Sequence, residues 1–240
     1  MNIALIGYGK MGKAIEIIAE EREHQICAKF NSINPLTNEK LKESRADVAI
    51  EFTQPSLASM HIRKCVETQI PVVVGTTAWL EQLPTLKEFI KQHNGSMLYT
   101  SNFSVGVNIF FKLNEVLARL MNKQPDYKVS VEEIHHLQKL DAPSGTAVTL
   151  AEGLVKELNA YSQWELTSNE SSESQTIPVT ATRLPEVPGT HLVKYESVID
   201  SIELKHEAKN RKGFALGAVI AAEFLRDKKG IFTMSDVLNL

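Results

Sequence analysis

Cysteine, aromatic residues and excess charge are all scarce in this 240-residue chain. Its two cysteines, Cys27 and Cys65, stand far apart in apolar stretches and form no CxxC pattern. That argues against a disulfide framework and predicts reduced, buried thiols. A formal net charge of −3 and 7% aromatics, with no basic-aromatic stripe, give no surface for nucleic acid or membrane. No apolar run reaches the roughly 20 residues that span a bilayer. The start MNIALIG is strand-like and lacks a basic n-region and apolar h-region, so no secretory signal is expected. A cytoplasmic location is the expectation. What remains is ordinary globular composition, 43% hydrophobic and 23% charged, in a length that holds one large domain or two small ones.

Strands and helices alternate through the first hundred residues. Residues 2–6 (NIALI) form an apolar strand ending on Gly7. The helix after it buries Met11, Ala14, Ile15, Ile17 and Ile18 and wets Glu16, Glu20 and Glu21. Further strands are expected at His24 to Phe30, Asp47 to Phe52, Pro71 to Gly75 and Met97 to Thr100. Helices fit Ser56 to Thr68, after Pro55, and Leu80 to His93, closed by Asn94-Gly95. Such alternation implies a parallel sheet with helices on both faces.

The pattern changes after Asn102. Val107 to Met121 is a long, mostly apolar helix, and Lys128 to Ile134 a strand leading into a double histidine. Thr146 to Ala160 is helical. Residues 162–176 are polar and serine-rich, most simply a surface loop. His191 to Val198 and Ser201 to Glu207 form two strands joined through Ile199-Asp200, and Phe214 to Leu225 is a helix of small residues suited to close packing. The fold expected is α/β: a Rossmann-type doubly wound parallel sheet plus a second α+β domain with a mixed sheet. The first domain would comprise 1–104 and 212–240 and bind a dinucleotide. The second, 105–211, would bind substrate and mediate oligomerisation.

Two motifs carry chemistry. Gly7-Tyr8-Gly9-Lys10-Met11-Gly12 follows a strand and opens a helix, the context in which GxGxxG binds dinucleotides. Its first glycine makes the turn, its second admits a pyrophosphate, and its third lets helix and strand pack closely. The acid expected at the end of the second strand, where it would hold a ribose, is replaced by Asn31. Asparagine does not repel a 2′-phosphate, and Lys10, Lys13 and Lys29 are near in sequence. NADPH is therefore expected to serve at least as well as NADH.

The second motif is HHLQKLDAPSGTA at 135–147. Two histidines and Lys139 sit just before a helix that Ser144 can cap, and a helix N-terminus attracts anions. Proton donors beside an anion cradle suit an acidic substrate that is protonated as it reacts. Asp141 is expected to organise the loop, and Glu132 and Glu133 to be solvated or supporting. Adjacent histidines without a further ligand pattern are poor evidence for a metal, and none is expected. His206 and Arg211, before the final helix, would link the domains or shape the cleft.

With both motifs in place, the chain resembles the 4-hydroxy-tetrahydrodipicolinate reductase (dihydrodipicolinate reductase) family of lysine and diaminopimelate biosynthesis. The resemblance runs through GYGKMG at 7–12, EFTQP at 51–55, VGTT at 74–77, SNFSVGVN at 101–108, HHLQKLDAPSGTA at 135–147 and HEAKNRKGFALGA at 206–218. It implies that Gly7 to Gly12 cradle the pyrophosphate of NADPH or NADH, with Gly75, Thr76 and Thr77 along the nicotinamide. Thr100, Ser101, Asn102 and Phe103 would complete that pocket. His135 would be the general acid and Lys139 a proton donor that also fixes substrate, while His136, Gly145 and Thr146 would hold substrate carboxylates. A homotetramer joined through the second domain's sheet is implied too. Asn31 and the Leu184-Pro185-Glu186 stretch after Arg183 depart from the family pattern. Two other readings have less support. An NAD(P)H-sensing protein would need an output surface, and none is visible. A semialdehyde dehydrogenase would need a cysteine at the cleft, where neither Cys27 nor Cys65 is expected. Hinges for closure over substrate are expected near Ser104-Val105-Gly106 and Lys212-Gly213.

Overall fold

The computed structural model describes residues 1–167, 175–210 and 212–240. In chain order the elements begin β1 (Asn2–Ile6), α1 (Lys10–Glu21), β2 (Gln25–Phe30), α2 (Asn38–Glu43), β3 (Val48–Glu51), α3 (Pro55–Glu67) and β4 (Val72–Val74). They continue with α4 (Leu83–Gln92), β5 (Ser96–Tyr99), α5 (Val105–Met121), β6 (Lys128–His135), α6 (Gly145–Glu157) and β7 (Gln163–Leu166). The remainder is β8 (Thr176–Arg183), β9 (Thr190–Glu196), β10 (Ser201–Glu207), α7 (Lys212–Leu225), β11 (Gly230–Phe232) and α8 (Met234–Leu238). The chain forms two compact units, Met1–Val105 with Lys212–Leu240, and Gly106–Arg211.

The first unit holds a six-stranded sheet in the order β11-β5-β4-β3-β1-β2, parallel at every pairing. Side chains alternate across a strand, and β1 serves both faces accordingly. Ile3 and Leu5 pack with Ile15, Ile18, Ala218 and Met234 of α1, α7 and α8. Ala4 and Ile6 pack with Leu41, Ile62, Leu86 and Ile90 of α2, α3 and α4. The sheet is therefore doubly wound, and its order reverses direction at β1, where ligands of such sheets bind. The small residues of α7 have a specific use. A Cβ on Gly217 would lie 1.7 Å from the Phe103 carbonyl oxygen, so only glycine permits that approach. The single helix expected over 80–93 is divided into a 3-10 turn at Leu80–Gln82 and α4. Pro84, in the first turn of α4, has no N–H to continue a helix from the preceding turn, so the helix restarts there.

The second unit holds a five-stranded mixed sheet, β10-β9-β6-β8-β7. β10–β9 and β9–β6 are antiparallel; β6–β8 and β8–β7 are parallel. Helices α5 and α6 cover one face, where Phe110, Ala118, Leu150 and Leu154 meet Val129, Val131, Val179 and Val193. The polar stretch expected as a loop contains β7 at Gln163–Leu166, whose Trp164 packs against this core. The rest of that stretch at 168–174, and Arg211, lie outside the described residues. Strand β8 escaped the sequence reading because Pro178 interrupts it. The proline is tolerated because pairing with β6 begins one residue later, at Val179. No helix among the described residues is long and apolar enough to cross a membrane.

Candidate active site

Each unit carries one of the two motifs. In the first, packing requires glycine at two of the three positions, and the remaining one leaves open space. Gly7 has φ +95° and would drive a Cβ to 2.0 Å from the Phe52 carbonyl oxygen. Gly12 packs against the Gly7 carbonyl, 2.3 Å from where its Cβ would be. Gly9, the N-cap of α1, would meet nothing within 4 Å, so the backbone there is open to approach. The first turn of α1 carries no acid to oppose an anion. These features fit a dinucleotide pyrophosphate.

A cavity of about 460 Å³ joins Gly9, Lys10 and Met11 to Phe52, Thr53, Pro55, Gly75, Thr76 and Thr77. The 75–77 turn is held firmly: the Thr53 N–H donates to Thr76 Oγ1 (2.8 Å), and Trp79 Nε1 donates to the Thr76 carbonyl (2.7 Å). Asn31 and residues 100–103 do not line this cavity. The Asn31 side chain turns onto its own loop, accepting the N–H groups of Ile33 and Asn34 at 2.9 Å each. Lys29 is engaged by Glu16 at 2.5 Å and lies over the Tyr8 ring. Its hydrogen bond, with one from Tyr8, holds the Glu16 carboxyl below the usual carboxylate range. Phe103 is buried in the core beside Phe52, and Thr100 Oγ1 donates to the Asn102 carbonyl at 3.0 Å. Beneath the turn lies a group the sequence did not reveal. Glu51, fully buried at the end of β3, pairs with His61 Nδ1 at 3.3 Å and accepts the Thr53 hydroxyl.

In the second unit, strand parity and register assemble the site. Val129, Val131, Glu133 and His135 are the buried positions of β6, so a carboxylate and an imidazole continue an apolar row. Register then sets His191 of β9 beside Glu133, His206 of β10 beside His191, and Arg183 of β8 beside His135. Directly paired residues share a face. Four strands thus contribute to one polar cluster beneath α6. Glu133 is its centre and is fully buried. One of its oxygens accepts the Ser144 N–H at 2.9 Å, and the other accepts Arg183 Nη2 at 3.2 Å. His135 Nδ1 faces it at 3.5 Å and His191 Nε2 at 3.8 Å.

Ser144 caps α6: its Oγ accepts the Ala147 N–H at 3.2 Å and bonds His191 Nε2 at 3.1 Å. A Cβ on Gly145, the first helical residue, would meet nothing within 4 Å. Arg183 also donates to the Asp141 carbonyl (2.7 Å) and the Lys139 carbonyl (3.4 Å), tying down the loop that carries both. Lys139 Nζ bonds both Asp141 carboxylate oxygens at 2.8 Å, the organising role expected of that acid. His136 accepts the Lys139 N–H on its carbonyl, closing the intervening turn. Glu132 points the other way and lines a cavity on the opposite face of the sheet.

Burial governs the charge of this cluster. It pushes His135 below its ordinary value, with Lys139 and Arg183 adding to the fall while Glu133 and Asp141 oppose it. His191 is pushed down to about 3 by burial first, then by His135, His206 and Lys139, so it is neutral. His206, packed beside the Phe110 ring, is lowered by burial. Glu133, His135 and His191 each bring one ligand-type atom within 4.8 Å of the others. Arg183 and the Ser144 N–H already occupy the carboxylate, and a guanidinium opposes a cation there, so the trio is a charge and hydrogen-bond network.

The sequence reading brought out His135, Lys139 and the helix start but missed His191, Arg183 and the central place of Glu133. Parity along β6 was the available signal for Glu133. The partners from β8 and β9 had none, because register across strands is not written in one strand.

A parallel sheet reversing at a glycine turn, with a second mixed-sheet unit, defines a Rossmann-type two-unit oxidoreductase fold. The family model for the N-terminus of dihydrodipicolinate reductase matches residues 1–103, and that for its C-terminus matches 106–238. The chain belongs to the dihydrodipicolinate reductase family. It is 50% identical over 239 residues to a 4-hydroxy-tetrahydrodipicolinate reductase of Christiangramia forsetii, covering 100% of this chain and 98% of that one. A protein of the same name from Methanocaldococcus jannaschii is 32% identical over 98% of this chain and 81% of its own. The fold matches a dipicolinate-bound dihydrodipicolinate reductase from Paenisporosarcina sp. TG-14, with TM-score 0.82, 23% identity and 97% of each chain covered.

Proposed function

We propose that this enzyme reduces 4-hydroxy-tetrahydrodipicolinate to tetrahydrodipicolinate with loss of water, using NADPH or NADH, in lysine and diaminopimelate biosynthesis. The observation that carries this reading is the meeting of His135, the Lys139 loop and the open N-terminus of α6 around one buried carboxylate. A reduced nicotinamide dinucleotide supplies the hydride. Residues Gly7 to Gly12 would hold its pyrophosphate, and Gly75, Thr76 and Thr77 its nicotinamide side. Asn31 and the segment Thr100 to Phe103 would border the same ligand through their backbone.

The chain's own task is to grip two carboxylates and deliver a proton. The N–H groups of Gly145 and Thr146 at the helix start would bind one carboxylate, with His136 and Lys139 completing the grip. Lys139 would exchange Asp141 for the substrate. Loss of the C4 hydroxyl with a proton of the adjoining carbon would release water and leave a double bond conjugated with the imine; hydride addition at C4 would then place an electron pair on that adjoining carbon. His135, protonated, would quench it there, with Lys139 a second proton source. The thiol chemistry of a semialdehyde dehydrogenase has no support, since Cys65 is fully buried and burial raises both thiols.

The test is NADPH oxidation with substrate generated by a coupled synthase. Wild type turns over, while His135→Ala and Lys139→Ala each lose kcat by about 10²-fold or more. A His135→Ala enzyme with unchanged kcat would remove the general acid. Because no carboxylate stands at the end of β2, kcat/KM for NADPH should at least equal that for NADH; a tenfold NADH preference would refute this. The face of the second sheet opposite α5 and α6, where Ile134, Leu184 and Leu192 line a cavity with Glu132, Glu203 and Lys205, would join the subunits of a homotetramer, and the location proposed is the cytoplasm. Light scattering that returns a monomer mass would sink that assembly.

A further inference from the structure

We propose that Glu133 is the positioning residue of the proton donor: its buried carboxylate, braced by Arg183 and the Ser144 N–H, faces His135 Nδ1 and supports the imidazolium. The proposal rests on the reading of His135 as general acid. Three placements carry it. Glu133 lies two residues before His135 on the same side of β6, so no loop motion separates them. Its two oxygens are each fixed by an independent donor, at 2.9 Å and 3.2 Å, which sets the carboxylate's direction. Among the described residues His135 Nδ1 is buried without a hydrogen-bond partner, and the Glu133 carboxylate stands 3.5 Å from it. Nδ1 faces inward, so Nε2 is the nitrogen left to meet a substrate. The ring's Nε2 edge lies beside Gly189, where a Cβ would come within 3.0 Å of it, so a side chain at that position would crowd the imidazole.

A neutral imidazole loses little in this site. An imidazolium gains an anion at Nδ1, and the pairing is strongest in the protonated form that donates. The charged and titratable groups around His135 are Glu133 on its own strand, Arg183 from β8 and neutral His191 from β9. Lys139 and Asp141 join them from the following loop, and His206 stands one strand beyond His191. Glu133 and Arg183 act on His135 in opposite directions. Neutralising one or the other therefore moves its titration oppositely, which a purely structural role would not do.

The experiment pairs Glu133→Gln with Arg183→Gln. Imidazole NMR reads the His135 titration in resting enzyme, and the pH profile of kcat/KM reads it in turnover. Glu133→Gln should lower the pH at which the alkaline limb falls by about one unit, an approximately tenfold loss above both values. At low pH the two enzymes should converge. Arg183→Gln should raise the same limb, and it keeps the test decisive if Glu133→Gln fails to fold. Limbs and NMR titrations that stay put in both variants would overturn the proposal. So would shifts in the same direction. If instead His135→Ala keeps full kcat, the general-acid reading falls, and the NMR titration still decides whether Glu133 supports the charge on His135.

Discussion

Replacing Ser144 with alanine removes one hydroxyl that holds two things at once. Its Oγ accepts the Ala147 N–H at 3.2 Å, capping α6, and bonds the buried His191 Nε2 at 3.1 Å. Loss of a serine cap costs about 1 kcal/mol. Leaving a buried ring nitrogen without its partner costs about 1–3 kcal/mol more. The backbone N–H that binds Glu133 is unaffected, so the carboxylate stays in place and the loss is confined to the hydroxyl. A destabilisation of about 2–4 kcal/mol follows. The two units each hold one tryptophan, Trp79 and Trp164. Urea unfolding in a Trp79→Phe background therefore reports the second unit alone, through Trp164. The substrate KM should rise too, because the frayed turn presents the Gly145 and Thr146 N–H groups. Ser144→Thr should recover most of the stability. A loss below about 0.5 kcal/mol, the range of an ordinary surface change, would refute the assignment of both bonds.

Two further outcomes are expected. The low value of His191, about 3 against about 6.5 unfolded, means that the unfolded chain binds the proton more readily. Its contribution is therefore full above about pH 6.5 and is lost as pH falls toward 3, at up to about 1.4 kcal/mol per unit. His191→Gln should flatten that part of the urea midpoint–pH curve, and an unchanged slope would count against burial as the cause. The Gly217→Ala methyl would meet the Phe103 carbonyl at 1.7 Å, whereas at Gly153 in α6 the nearest atom is 3.4 Å away. The first should destabilise the Trp79 transition by about 3 kcal/mol and the second leave Trp164 unfolding near neutral; equal effects would show that packing does not decide.

Local information was dense in the chain, which explains what was legible. The alternation Ile3, Ala4, Leu5, Ile6 serves two opposite cores, and a period of two is visible without a structure. The turn at Gly7 to Gly12 and the capped start of α6 are made by neighbours in sequence, so their chemistry could be read there. Two strands of the second sheet were less legible. Strand β7, at the sheet edge, lies in a polar stretch, and the proline disguised the interior strand β8, which pairs with β7 from Thr176 and with β6 only from Val179. The parity that buries Glu133 was available along β6, but its significance depends on what stands across from it.

By itself the sequence determined the doubly wound sheet, the glycine turn, and the order of histidine, lysine and helix start. All of these are set by residues adjacent in the chain and by the periods of strand and helix. Tertiary structure alone decided that His206, His191 and Glu133 form one row, and that Arg183 joins them from a neighbouring strand. The same pairing set His191 where burial keeps it neutral and His135 where it faces an anion. Register is the physical reason: it places side chains from distant segments within hydrogen-bonding reach, and burial there amplifies every charge.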